Sequence, residues 1–113
     1  MTKGHKTLDR GDIIFIDFDP SAGSEIMKRR PAIVISPLLY NKKSRLIICC
    51  PITSTIRNNP WEVLIPNGHE VSGVVLSNHL STMDQYARRA EWKCRAPMNI
   101  IKDVLSKIQV LIL

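Results

Sequence analysis

The chain has 113 residues, 44% of them hydrophobic, with 16 Lys or Arg against 10 Asp or Glu and a formal charge of +6. A chain this short has room for one hydrophobic core, which excludes multidomain enzymes and large cofactor folds. Its longest apolar run, Leu46–Ile52, is far below the ~18–20 residues that span a bilayer, and its basic N-terminus lacks the apolar stretch of a signal peptide, so we expect a cytoplasmic protein.

Short apolar runs separated by Pro, Gly and Asn dominate the chain up to Trp92 and predict β-strands. Five runs are well defined and two further stretches are shorter. They are Asp12–Phe18, Pro31–Ser36, Arg45–Ile52, Trp61–Ile65 and Gly73–Asn78, followed by Ser81–Asp84 and Arg88–Trp92. Short strands at this spacing, without helices between them, are typical of an antiparallel barrel or sandwich rather than a parallel sheet.

The hydrophobic period changes near the C-terminus, where apolar and polar residues alternate at helical spacing. Pro97 stands near the start of this pattern, where its missing N–H is tolerated. We therefore predict one amphipathic helix, about Pro97–Val110, that closes a mainly β, α+β domain over residues 10–113, preceded by a flexible tail of residues 1–9. The predicted core stripe of the helix is Ile101, Val104, Leu105, Ile108, Leu111 and Ile112.

The cysteine pattern argues against disulfides and metal sites. Cys49, Cys50 and Cys94 cannot all pair, and two of them are adjacent in an apolar run, which favours buried, reduced thiols. The Cys and His residues do not follow the spacing of a zinc site. We therefore expect no metal and no cofactor.

The positive charge is unevenly placed. The stretch Ile26–Pro60 holds seven basic side chains and no acidic one. A second basic group around Arg88 and Arg89 has Glu91 as its one acidic residue. Such segregation suits a polyanion, because each Lys or Arg at a phosphate releases bound counterions. A solvated basic face is the alternative interpretation.

The segment between the first two predicted strands, Asp19–Arg30, is long for so small a domain, and such loops are often functional. If the polyanion is RNA, its 2′-hydroxyl is the nucleophile, and an enzyme needs only to stabilise charge at the phosphate and move two protons. Arg30 offers a bidentate phosphate ligand, Thr53 a hydroxyl at a strand end, and Glu25 a carboxylate in the loop. Taken singly, Arg30 could be a solvated charge, Thr53 a hydroxyl that satisfies the backbone of a turn, and Glu25 part of a surface ion pair.

Taken together, these stretches resemble the MazF/PemK toxins of bacterial toxin–antitoxin modules. They occur in order and at the family's spacing, so the resemblance runs from about Arg10 to the C-terminal helix. The matching stretches are Arg10-Gly11-Asp12-Ile13, Phe18-Asp19-Pro20, Gly23-Ser24-Glu25, Arg30-Pro31-Ala32-Ile33-Val34-Ile35-Ser36-Pro37, Pro51-Ile52-Thr53 and Gly73-Val74-Val75-Leu76.

The resemblance implies a small SH3-like barrel plus helix, acting as a homodimer and neutralised by a MazE/PemI-like antitoxin. It implies a sequence-specific, metal-independent, ribosome-independent endoribonuclease that cleaves single-stranded mRNA to 2′,3′-cyclic phosphate and 5′-hydroxyl ends. The family's catalytic Arg, Thr and loop Glu fall on Arg30, Thr53 and Glu25. Because a guanidinium gives up its proton reluctantly, we expect Arg30 to stabilise charge. Thr53 would donate to a non-bridging oxygen, and Glu25 would orient Arg30 or accept the 2′ proton.

The chain also departs from the family pattern. Many relatives carry an acidic residue where this chain has Asn78-His79, and His79 could replace it as a proton carrier, since histidine titrates closest to neutral pH. Unpaired bases and phosphates would be bound by polar residues of the two loops. The predicted RNA-binding residues are Lys28, Arg29, Ser54, Arg57, Asn58 and Asn78.

Two other functions remain open at this level. The gyrase toxin CcdB shares the small-barrel architecture and acts by binding a protein, so fold alone does not decide the activity. A non-catalytic RNA-binding module is the other alternative. Arg30 and Thr53 at the family's positions favour the ribonuclease.

Overall fold

A computed structural model describes residues 6–19 and 28–113 of the chain. Within them lie seven strands and two helices. In chain order these are β1 (Asp12–Asp19), β2 (Lys28–Val34), α1 (Leu38–Ser44), β3 (Leu46–Thr53), β4 (Glu62–Ile65), β5 (Gly73–Leu76), β6 (Ser81–Asp84), β7 (Glu91–Arg95) and α2 (Met98–Ile112).

Strand β3 organises a curved antiparallel sheet with the order β4-β5-β3-β2-β1-β7. One edge of β3 pairs with β2. Its other edge pairs first with β6, along Leu46–Cys49, and then with β5, at Ile52 and Thr53. The chain thus forms a mainly β half-barrel with a C-terminal helix, which confirms the predicted antiparallel class.

Both faces of the sheet are buried, and residues alternate between two cores. Ile33 and Cys50 lie in the core beneath α2, whereas Ala32 and Cys49 lie in the core on the opposite face. This two-sided burial explains why the β3 segment is apolar without interruption. Cys49 and Cys50 are buried, as predicted, and burial raises the pKa of each thiol to about 12.

Helix α2 begins directly after Pro97, whose carbonyl accepts hydrogen bonds from the backbone N–H groups of Ile100 and Ile101. Its buried residues are Ile100, Ile101, Val104 and Ile108, each stabilising the fold by about 1.5–3 kcal/mol. The predicted core stripe is wrong in its last turn. Leu111 and Ile112 are 50% and 65% exposed, because this turn lies beyond the packed core.

The short helix α1 was not predicted, because its seven residues carry no hydrophobic period. It is fixed by a buried polar side chain instead. The Asn41 amide donates to the carbonyl oxygens of Leu8 (2.8 Å) and Ser36 (3.0 Å), and the Gln85 amide donates to the Asn41 carbonyl (2.9 Å). Such satisfied buried amides specify one arrangement of the elements that they join.

The same contacts bear on the predicted tail. Leu8 is 1% exposed and packs in the core opposite α2, and the Asp9 carboxylate accepts from the backbone N–H groups of Arg10 and Leu38. The packed domain therefore begins at Leu8 rather than Arg10. Flexibility of the first five residues stays a prediction, since they lie outside the described residues.

Candidate active site

Arg30 and Thr53 lie on adjacent strands, each two residues beyond the last pair of the β2–β3 ladder. The β2–β3 ladder pairs Ala32 with Pro51, and the same antiparallel register, carried on by two residues, would place Arg30 opposite Thr53. Residues that face each other across a ladder project from the same side of the sheet. The fold thus brings together two predicted site residues that are 23 positions apart in the sequence.

Both residues line one pocket of about 400 Å³ beside the loop 54–61, which joins β3 to β4. Two guanidinium groups, one imidazole, one carboxylate and one indole converge there. The lining residues are Arg30, Thr53, Thr55, Arg57, Asn59, Trp61, Glu62, Leu76 and His79. A pocket lined by two arginines and several residues with hydroxyl or amide groups suits a phosphodiester.

Arg30 presents an unengaged cation to this pocket. Its side chain is exposed, and among residues 6–19 and 28–113 the guanidinium makes no hydrogen bond or ion pair. Its five N–H donors are therefore available to a ligand. Glu25, the predicted partner of Arg30, lies outside the described residues.

Thr53 is the last residue of β3, and its hydroxyl oxygen accepts a hydrogen bond from the Thr55 backbone N–H (3.2 Å). A hydroxyl that accepts in this way keeps its own proton to donate. The backbone of Gly73 lies directly against Thr53: a Cβ built on Gly73 would be 2.4 Å from the Thr53 carbonyl oxygen. Gly73 also has a φ of +123°, a conformation that side chains disfavour.

Arg29 does not line this pocket, and its role in RNA binding stays a prediction. Successive residues of a strand face opposite sides, so Arg29 points away from Arg30. Its guanidinium donates to Asp17 (3.1 Å), Glu91 (3.0 Å) and the Arg89 carbonyl (2.9 Å). These acceptors engage three of the five N–H donors of the guanidinium group.

The partner of Arg29 is a buried carboxylate. Asp17 is 3% exposed and accepts from the guanidinium groups of Arg89 (2.8 Å) and Arg29 (3.1 Å), which hold its pKa below the usual range against the opposing effect of burial. Arg88 donates to the carbonyl oxygens of Asp17 and Phe18 (3.1 and 2.7 Å). Much of the second basic group therefore ties the segment before β7 to β1. For that reason β7 starts at Glu91 rather than at the predicted Arg88.

The other predicted RNA-binding residues are dispersed. Arg57 lines the pocket, but Ser54 and Asn58 line neighbouring depressions on the same loop, and Asn78 lies in the exposed turn after β5. Lys28 begins β2, opposite Asp19. His79 follows that turn and lines the pocket itself.

Glu62 is the pocket residue that sequence reasoning missed. Its carboxylate accepts hydrogen bonds from the backbone N–H groups of Arg57 (3.1 Å) and Asn58 (2.9 Å). A signal was present, because Glu62 is the first acid after the acid-free stretch Ile26–Pro60. Trp61 is partly exposed and also lines the pocket.

Across the described residues, no three His, Cys, Asp or Glu side chains are close enough together to hold a metal ion. No helix in that part of the chain is long and apolar enough to cross a membrane.

Comparison with known proteins points in one direction. Residues 9–112 match the family model described as PemK-like, MazF-like toxin of type II toxin–antitoxin systems. The chain is 38% identical to the endoribonuclease toxin MazF of Escherichia coli K12 over 104 residues, covering 92% of this chain and 93% of that one. Among solved structures, the MazE–MazF complex of Deinococcus radiodurans is similar at 39% identity and a TM-score of 0.89, covering 95% and 96% of the two chains. A mycobacterial endoribonuclease at 13% identity shares the fold, with a TM-score of 0.76 and coverage of 96% and 93%.

Proposed function

The chain belongs to the PemK-like, MazF-like toxin family of type II toxin–antitoxin systems, and on this premise we propose that it is a sequence-specific endoribonuclease that cleaves single-stranded mRNA without a metal ion. The observation that carries the proposal is that Arg30 and Thr53 line one pocket, with the Arg30 guanidinium unengaged among the described residues. Relatives that share the family are endoribonucleases by name.

The proposed reaction is an internal transesterification of the RNA. The 2′-oxygen attacks the adjacent phosphorus, the bond from phosphorus to the 5′-oxygen breaks, and the products are a 2′,3′-cyclic phosphate and a 5′-hydroxyl. Arg30 stabilises the charge that grows on the non-bridging oxygens, and Thr53 donates a hydrogen bond to one of them. One group must accept the 2′ proton and another must supply a proton to the 5′-oxygen.

His79 is the proposed proton carrier among the described residues. It lines the same pocket as Arg30 and Thr53, and histidine exchanges protons readily near neutral pH. Glu25 keeps its proposed role as the group that orients Arg30 or accepts the 2′ proton.

The proposed partners follow the relatives. The MazF of Deinococcus radiodurans was solved with MazE, and we expect this toxin to be a homodimer held inactive by a cognate MazE/PemI-like antitoxin. An acidic antitoxin segment that occupies a phosphate-binding groove would lose affinity at high salt. Cleavage of mRNA implies a cytoplasmic location.

The test is cleavage of a long mixed-sequence RNA in the presence of EDTA, with both fragment ends mapped. We expect cyclic phosphate and 5′-hydroxyl ends, and we expect Arg30→Ala and Thr53→Ala to abolish cutting while melting like the wild type. Loss of activity on chelation, or 5′-phosphate ends, would refute the mechanism. RNA binding without cleavage by the wild type would indicate a binding module, and growth arrest without RNA contact would indicate a CcdB-like poison.

A further inference from the structure

Glu62 controls the loop that forms one wall of the pocket. It is the first residue of β4 and directly follows the loop 54–61. One carboxylate oxygen accepts from the backbone N–H groups of Asn58 (2.9 Å) and Arg57 (3.1 Å). The other accepts from the Arg57 N–H (3.3 Å) and the Asn59 side-chain amide (3.5 Å).

Glu62 makes all the hydrogen bonds that the structure shows for this part of the loop. Within the described part of the chain, every hydrogen bond of Arg57, Asn58 and Asn59 is made to Glu62, including the bond from the Glu62 backbone N–H to the Asn59 carbonyl (3.1 Å). Asn58 has a φ of +60°, in the left-handed region that non-glycine residues seldom adopt. A single carboxylate therefore holds this strained turn in place.

We propose that Glu62 is a positioning residue of the active site, which acts by fixing Arg57 beside Arg30. The proposal rests on the ribonuclease function proposed above and assigns this carboxylate a role within it. Arg57 lines the same pocket as Arg30, and its guanidinium has no ion-pair partner among the residues that the structure describes. With the loop fixed, a cleaving phosphate meets two guanidinium groups rather than one.

The negative charge of Glu62 and its positioning role predict opposite effects on RNA cleavage. A carboxylate in a phosphate-binding pocket repels the substrate, so by charge alone its neutralisation should favour RNA. If Glu62 acts by position, its loss should instead slow the reaction, because misplacement of a group by about 1 Å costs on the order of 100-fold in rate. The sign of the effect therefore separates the two roles.

The experiment measures single-turnover cleavage of a single-stranded RNA by the full-length protein. Glu62→Gln keeps the shape of the side chain but leaves only one acceptor oxygen, and we expect a loss of about 10- to 100-fold. The control is Asp103→Asn, which neutralises a half-exposed carboxylate that pairs with Lys107 on α2, outside the pocket, and should cleave like the wild type.

A double-mutant cycle tests whether Glu62 acts through Arg57. In the Arg57→Ala background the additional cost of Glu62→Gln should fall below about 3-fold, because the group to be positioned is gone. The melting temperatures of all variants are measured as well, and cleavage is compared at a temperature below the lowest of them, so that a slower reaction does not reflect unfolding.

The outcomes are distinct. Wild-type or faster cleavage by Glu62→Gln, or an equal penalty with and without Arg57, would overturn the positioning role while leaving the ribonuclease intact. A wild-type protein that does not cut RNA would overturn the ribonuclease itself, together with this role.

Discussion

Replacement of Gly73 by alanine should displace the proposed catalytic threonine. The new Cβ would lie 2.4 Å from the Thr53 carbonyl oxygen, whereas even tight contacts of real Cβ atoms begin at 3.0 Å and ordinary contacts at 3.4 Å. The two strands must therefore separate by 0.6–1.0 Å (3.0 or 3.4 minus 2.4). Because Thr53 pairs with Val74, the residue after Gly73, the movement reaches Thr53 directly.

A second glycine separates the two effects of this substitution, which are backbone strain and the displacement of Thr53. Gly68 also has a positive φ (+104°), but a Cβ there would meet nothing within 4 Å. Both alanine variants pay about 1–3 kcal/mol of backbone strain, and only Gly73→Ala moves Thr53. We expect both variants to lose stability in thermal melts. In single-turnover RNA cleavage, Gly73→Ala should fall by about 10- to 100-fold and Gly68→Ala should remain at the wild-type rate. Equal activity of the two variants would refute the argument.

Three further predictions test the ion pairs and the buried polar groups. Asp17→Asn should lower the free energy of unfolding at pH 7, because the ion pairs with Arg29 and Arg89 are lost. The loss should be about 1–3 kcal/mol, since the exposed arginines regain water when they are unpaired. Because folding lowers the pKa of Asp17, its contribution to stability is present above about pH 4 and is lost as the pH falls further. The melting temperatures of the wild type and the variant should therefore converge in acid, and a constant difference between them would contradict this. Arg57→Ala should reduce the salt slope of RNA binding by about 0.7, whereas Arg29→Ala should change stability and not the slope; the reverse result would identify Arg29 as a phosphate ligand. The Ser77 hydroxyl is buried without a hydrogen-bond partner in the described structure, so Ser77→Ala should raise the free energy of unfolding by about 1 kcal/mol, and a loss of stability in urea titration would show that the hydroxyl is satisfied.

The strands were predictable because the signals that produce them are local. Proline, glycine or asparagine stands at the end of most of the apolar runs, and the helical period predicted α2 together with its start near Pro97. Helix α1 escaped prediction because its stability depends on Asn41, which is satisfied by residues distant in the chain. The exposure of the last turn of α2 was not predicted for a related reason. A sequence pattern shows which side of a helix is apolar, but not where the surface that it packs against ends.

For the site, residue types and family spacing indicated Arg30 and Thr53, and the register of β2 against β3 explains how they meet. Charge counting was less reliable. Arg29 stands next to Arg30 in the sequence, yet strand alternation turns it to Asp17 on the other face. The sequence did not indicate a role for Glu62, because that role depends on hydrogen bonds to the backbone N–H groups of Arg57 and Asn58.

The sequence by itself determined the family, the antiparallel β class with one C-terminal helix, and the residue types that the chemistry requires, since composition, local periodicity and motif spacing encode these directly. Only the tertiary structure decided which basic side chains line the pocket and which form ion pairs elsewhere. It also decided which carboxylate holds the pocket loop. These properties depend on strand register and on contacts between residues far apart in the chain, where one step along a strand changes the face of the sheet on which a side chain lies.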